Sequence, residues 1–143
     1  MNIVVPGEPP KATAQHGLHI AKGRLYRKPQ PAIEAMKAML APFVPGKPLS
    51  GPLIVRVVFE YPYRKGDLST KAKRDHLAGV PWCPMDAKPD VDNIAKGLLD
   101  AMTKLGFWQD DAQIFDLRIQ KRRGHKPRLE IEITPYSGDM EAR

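Results

Sequence analysis

Lys88-Pro89-Asp90-Val91-Asp92-Asn93-Ile94-Ala95-Lys96, followed by Asp100 and then by Gly106-Phe107-Trp108-Gln109-Asp110-Asp111, decides the reading of this chain. Asp90 to Asp111 holds five aspartates, four of them in two tight pairs. Between the pairs, Ile94, Leu98, Ala101, Met102 and Leu105 fall within about 100° of one another at 3.6 residues per turn, which predicts a helix over Asn93–Leu105. Gly106 supplies its C-terminal stop. Carboxylates packed together repel unless a cation lies between them, and a hard divalent ion such as Mg²⁺ takes oxygen ligands of this kind.

The rest of the chain is basic. Lys and Arg number 23 against 16 Asp and Glu, a formal charge of +7 over 143 residues, and the pI is near 9.6. That balance favours a polyanionic partner. An acidic cluster within a basic surface points to phosphate chemistry: the surface attracts the phosphates and the cluster cuts them. The length fits a single domain over residues 1–143 with a core of its own. The one cysteine, Cys83, excludes an intrachain disulfide and fits a reducing compartment. With no signal-peptide pattern and no long apolar run, a cytoplasmic protein is expected. No histidine has metal-ligand spacing with another His or Cys, which argues against zinc, and no phosphate-loop or dinucleotide fingerprint is present.

Outward from the acidic window, Asn2 to Val5 reads as a strand and Glu8 to Gln30 as a basic loop without a period. Pro31 to Leu40 reads as a helix with Ile33, Met36, Met39 and Leu40 on one face. Leu53 to Tyr61 alternates clearly, with Leu53, Val55, Val57, Phe59 and Tyr61 on one face and Arg56 and Glu60 on the other. Pro62 to Lys88 reads as a second basic loop with a short extended piece near Val80 to Ala87. Ile114 to Gln120 alternates with Phe115, Leu117 and Ile119 inward. A turn at Arg123-Gly124 then leads to Leu129, Ile131 and Ile133, which predicts a β-hairpin with a basic tip. The elements make an α+β fold, a small mixed or antiparallel sheet packed on one side by two helices as a two-layer sandwich.

Each acid has two readings. In an extended chain the i, i+2 spacing of Asp90 and Asp92 points both the same way, roughly 6.5 Å apart along the strand rise. Asp92 equally suits a helix N-cap, which leaves Asp90 unexplained. Lys96, about 160° around the wheel from Leu98, faces away from the core stripe. It suits an i,i+4 ion pair with Asp92 or Asp100, or a cation held beside a metal and a phosphate. Asp110-Asp111 suits a plain turn or a second half of the acidic site. The phosphate-seeking cations are Lys11, Arg24, Lys28, Lys88, Arg122 and Arg123.

The blocks Lys88 to Asn93 with Lys96, Leu98 to Met102, and Gly106 to Asp111 resemble the RusA-type Holliday junction resolvases (crossover junction endodeoxyribonucleases) of phages and prophages. Pro6-Gly7-Glu8-Pro9-Pro10-Lys11, with Arg24 and Tyr26, is similar to that family's N-terminal substrate loop. The resemblance implies a small mixed α/β subunit acting as a homodimer in DNA recombination and repair. It implies Mg²⁺-dependent, structure-selective hydrolysis of four-way DNA junctions, with Mn²⁺ able to substitute. The essential carboxylates of the family correspond to Asp90, Asp92 and Asp111, its lysine to Lys96, and Asp110 to a neighbouring acid with a less sharply defined role, a further candidate for the metal set. The loop from Pro62 to Val80 departs from the pattern. Two other readings stand beside this one, a non-catalytic basic DNA-binding module and a related flap or branched-DNA nuclease. The expected homodimer also draws on apolar surface from the strand Leu53 to Tyr61 and the helix from Pro31.

Overall fold

The structure is a computed structural model that describes residues 1–13, 18–27 and 30–138. Its described elements are strands β1 (Asn2–Pro6), β2 (Leu18–Ala21), β3 (Arg24–Arg27), β4 (Leu53–Pro62), β5 (Trp82–Pro84), β6 (Ile114–Gly124) and β7 (Arg128–Pro135), and helices α1 (Pro31–Leu40), α2 (Lys71–Ala78) and α3 (Val91–Leu105). None of these helices is long and apolar enough to cross a membrane. The mixture of sheet and helices bears out the α+β class. The chain divides into two compact units, one built from Met1–Pro9, Pro52–Lys88 and the described chain from Ile114 onward, the other from Pro10–Gly51 and Pro89–Gln113.

The first unit is a five-stranded sheet in the order β1-β7-β4-β6-β5, with β4 parallel to β6 and the other pairs antiparallel. The alternation read in β4 is borne out. Leu53, Val55, Val57, Phe59 and Tyr61 are all buried, and Val55, Val57 and Phe59 lie in register with buried Ile133, Ile131 and Leu129 of β7. Each such side chain contributes about 1.5–3 kcal/mol by leaving water. Their burial within one chain removes the apolar surface that was expected to call for a second copy.

The expected hairpin does not form, because β4 lies between β6 and β7 and pairs with both. The crossing is fastened by Glu60, near the end of β4. Its carboxylate accepts from Arg122 Nε at 2.8 Å, from the backbone N–H of Lys126 at 3.0 Å and from Arg128 at 3.1 Å. Glu60 is 2% exposed, so three charge-assisted partners offset its burial. Gly124 serves this contact rather than a hairpin turn: a Cβ there would lie 2.5 Å from the Glu60 carboxylate. Alternation in two flanking segments cannot reveal a third strand inserted between them.

Phe115 and Leu117 are not inward. They are 57% and 41% exposed, and the Phe115 ring meets that of Tyr136 edge-on with centroids 5.4 Å apart. Their half of β6 lies beyond the reach of the three-residue β5, which pairs only with Arg122 to Gly124. Alternation gives the face of a strand, not whether anything covers it.

The basic loop between Pro62 and Lys88 holds α2 as well as the expected short strand, now β5. Helix α2 was illegible by period because only Leu77 is buried on it. Its signal is Thr70, whose Oγ1 accepts from the Lys73 N–H at 3.2 Å.

The second unit pairs α1 and α3 and carries the antiparallel β2–β3 ribbon. The ribbon corrects the reading of Glu8 to Gln30 as an unstructured loop. Lys22 and Gly23, at φ 52° and 74°, make the two-residue turn with positive φ at both central positions that a tight hairpin takes. Helix α1 spans the expected residues and buries Met36 and Leu40. Helix α3 buries Ile94, Leu98, Ala101 and Met102, and ends at Gly106 in the left-handed conformation. It begins two residues earlier than expected, with Asp90 and not Asp92 at the N-cap. Asp90 itself is extended at the cap, and the apolar period alone does not mark the polar first turn.

Candidate active site

All five aspartates of the deciding stretch, together with Lys96, lie in the second unit. Asp90 is extended at φ −63° and ψ 144°, and its carboxylate does not cap the helix. Asp92 is in the first helical turn, where the positive end of the helix dipole favours an acid. The extended i, i+2 geometry expected for the pair is therefore replaced by a cap residue followed by a helical one. Both are exposed. Asp92, Lys96 and Asp100 follow at i, i+4 and i+8, one stripe of α3 about 80° wide. Lys96 is exposed, as its position on the wheel predicts. Among the described residues it forms no ion pair with Asp92 or Asp100, although the spacing allows one.

The second acidic pair is carried back toward the helix by the left-handed turn at Gly106. The Gly106 N–H donates to Met102 and Thr103, and the Phe107 N–H to Met102, each at 3.1 Å. Phe107 and Trp108 then bury, with Trp108 Nε1 donating to Thr103 Oγ1 at 2.7 Å. This anchoring leaves Asp110 and Asp111 exposed in the following turn. Asp110 Oδ1 accepts from the Ala112 N–H at 2.9 Å, so one of its oxygens serves the turn.

Asp111 carries the electrostatic signature of the site. Its carboxyl is held above the usual carboxylate range, first by partial withdrawal from solvent, then by the Asp110 carboxyl hydrogen-bonded to it, and then by the charges of Asp110 and Asp100. Asp100 is thus the residue of the helix stripe whose charge acts on Asp111. Its place four residues after Lys96 was the available sign. Among the described residues, no three His, Cys, Asp or Glu side chains close into a group that could hold a metal ion. The donor chemistry nevertheless fits a hard cation: these are carboxylate oxygens, and neighbouring negative charge disfavours ionised Asp111.

Gly97, next to Lys96 in the chain, is where another segment comes close to α3. A Cβ on it would lie 2.2 Å from the carbonyl oxygen of Ala12, so the backbone of Ala12–Thr13 rests directly on α3. Ala12 is fully buried there, which fixes the chain position of exposed Lys11 next to the helix that bears Lys96. A glycine at the edge of the apolar stripe of a predicted helix was the visible signal.

The other cations are dispersed. Arg24 is exposed at the start of β3, Lys88 is exposed ahead of Pro89, and Lys28 lies outside the described residues. Arg122 and Arg123 are half-buried and engaged in the sheet unit. Arg122 pairs with Glu60 and lies 5.0 Å from the Trp82 ring centroid, while Arg123 donates to the Pro62 carbonyl at 3.0 Å. Of the features set aside in the sequence, His125 is 2.8 Å from the Leu77 carbonyl, and Cys83 is a half-exposed thiol beside the Tyr63 hydroxyl.

Comparison with known proteins bears on this arrangement. The chain is 47% identical over 53 residues to a crossover junction endodeoxyribonuclease of Lactococcus phage r1t, covering 37% of this chain and 40% of the phage protein. It is 48% identical over 57 residues to the crossover junction endodeoxyribonuclease RusA of Escherichia coli K12, covering 39% and 48%. It is 34% identical over 89 residues to the uncharacterized protein YqaN of Bacillus subtilis 168, covering 62% and 61%. The chain spans about half the length of the relatives it matches. The family model for endodeoxyribonuclease RusA matches residues 6–134. A match that takes in both compact units, and with them the acidic stretch and Lys96, shows that the chain belongs to the RusA endodeoxyribonuclease family.

Proposed function

We propose that this chain is a Mg²⁺-dependent, structure-selective endodeoxyribonuclease that hydrolyses phosphodiester bonds at four-way DNA junctions, acting in the cytoplasm as a homodimer of single RusA-like domains. The observation that carries this reading is the Asp111 carboxyl, exposed in the turn after α3 and opposed by Asp110 and by Asp100 of that helix, in a chain of net charge +7. The names of the phage and Escherichia coli relatives supply the substrate class.

Asp90, Asp92 and Asp111 would hold the metal, with Asp110 as a further carboxylate hydrogen-bonded to Asp111. When bound, the ion would polarise the phosphoryl group and acidify water. The chain itself supplies the rest. Exposed Lys96 offsets negative charge that builds on the phosphoryl oxygens as water adds to phosphorus and the sugar oxygen departs with a proton. Lys11, Arg24 and Lys88 hold backbone phosphates and read no bases. Arg122 and Arg123 contribute mainly field, since their guanidinium groups are engaged within the sheet unit.

A dimer supplies two symmetric nicks, which resolution of a junction requires. Exposed Phe115, Leu117 and Tyr136 support one, as apolar surface that a second copy would cover. A non-catalytic DNA-binding module is the second reading, favoured by the lack of a closed three-ligand group among the described residues and by the use of Asp110 in its turn. Titration of Mg²⁺ against a labelled four-way junction and a linear duplex separates the readings. Paired nicks in the junction alone support the nuclease. Tight junction binding without cleavage at any Mg²⁺ concentration supports the binding module.

A further inference from the structure

Gln113 closes the short 3₁₀ turn Asp111–Gln113 and is half-buried. Its side-chain oxygen accepts from the backbone N–H groups of Gln109 at 3.0 Å and Asp110 at 3.1 Å. Its side-chain nitrogen donates to the carbonyl oxygens of Leu49 and Gly51, both at 3.0 Å. A carboxamide has two donors and two acceptor positions, and all four are used. The reverse orientation of the amide would set its N–H groups against two N–H donors and its oxygen against two carbonyls, so the network admits one orientation.

The two carbonyls belong to a segment 62 and 64 residues away in sequence. That segment is itself fastened to the turn after α3, with the Leu49 N–H donating to the Phe107 carbonyl at 2.8 Å. Asp110 reinforces the turn from the other side through Ala112. Asp110 bonds within the turn, and Asp111 is an exposed carboxylate that it presents.

We propose that Gln113 is a positioning residue of the site, clamping the Gln109–Asp111 turn to the Leu49–Gly51 segment so that Asp111 keeps one place in the turn after α3. The inference rests on the reading of Asp111 as a site carboxylate. The clamp acts on backbone rather than on substrate, so its loss lowers turnover and ion affinity and leaves junction binding alone.

The test uses full-length Gln113→Ala and Gln113→Met. The second keeps the side-chain volume and removes all four hydrogen bonds, so it reports on the clamp even where the alanine variant unfolds. Four quantities are measured: amide hydrogen exchange at Gln109 and Asp110, calorimetric affinity for Mn²⁺ alone, kcat in Mg²⁺, and the junction Kd in Ca²⁺. The expected result is faster exchange confined to that turn, Mn²⁺ affinity and kcat each lower by about 10- to 100-fold, and an unchanged junction Kd. Wild-type exchange, Mn²⁺ affinity and kcat in a folded Gln113→Met would overturn the proposal, as would a loss of junction binding that parallels the loss of kcat. If the wild-type protein neither binds Mn²⁺ nor cuts, the nuclease reading fails separately. Exchange at Gln109 and Asp110 then decides the clamp, supported by a local rise and overturned by none.

Discussion

Asp111 concentrates the charge conflict of the site, and the conflict has a direction. A carboxyl whose folded-state pKa is raised favours the folded state only while protonated. That contribution is present below the unfolded value, about pH 4, and is lost as pH rises through the folded value. Asp111→Asn removes the conflict. Its thermal transition is expected to exceed that of wild type at neutral pH, with the gap closing toward pH 4 and closing also when Mg²⁺ is added to wild type at neutral pH. Calorimetric scans across pH check it, and a variant less stable than wild type at neutral pH contradicts it. Lys96→Ala removes an exposed cation that forms no ion pair among the described residues, so stability should hold while kcat falls by about 10²–10³. Single-turnover kinetics beside a melting curve read both. Gly97→Ala forces a methyl group into the Ala12 carbonyl, with an expected cost of about 1–3 kcal/mol on denaturant titration. Wild-type stability would show that the Ala12 segment does not rest on α3.

At the scale of elements, the sequence was informative where apolar period and burial coincide. Helices α1 and α3, strand β4 and the cap at Gly106 are all of this kind, and they place the acidic stretch correctly on and after a helix. It was uninformative where polar contacts build the element. Helix α2 buries only Leu77, so its Thr70 cap carried the signal instead. The β2–β3 ribbon was announced by Lys22-Gly23 rather than by alternation. The insertion of β4 between β6 and β7 depends on Glu60, Gly124 and two arginines far apart in sequence, which no local period encodes. Of the site, the residue types and their order were legible. The action of Asp100 on Asp111 and the fastening by Gln113 depend on how the turn after Gly106 returns. The Glu60 cluster yields its own prediction. Glu60→Ala leaves Arg122 without its carboxylate and Arg128 with Glu130 alone, and is expected to destabilise the fold by about 3–5 kcal/mol on denaturant titration. A loss below about 1 kcal/mol would mean that the cluster does not hold the crossing of β6 and β7.

At the scale of the molecule, charge and exposed apolar surface do separate things. On the proposed function the cations would grip phosphates without reading bases, so log Kd for a junction should depend steeply on log salt. Arg24→Ala is expected to weaken binding evenly across junction sequences and to lower that slope by about one. Phe115→Asp, placed on the exposed patch with Leu117 and Tyr136, should shift light scattering toward a 16.0 kDa species and uncouple the paired nicks into single ones. A variant that stays dimeric would remove the patch from the interface. The central claim is that the acids cut and the cations bind. It is tested most directly by Asp90→Asn and Asp111→Asn on one labelled four-way junction, with a gel shift in Ca²⁺ and a cleavage assay in Mg²⁺. At an effective dielectric near 20, a like charge about 5 Å from a phosphate opposes binding by roughly 3 kcal/mol before screening. Both variants are therefore expected to lose cleavage while binding the junction as tightly as wild type or more so; near-normal cleavage by either one contradicts its place in the site.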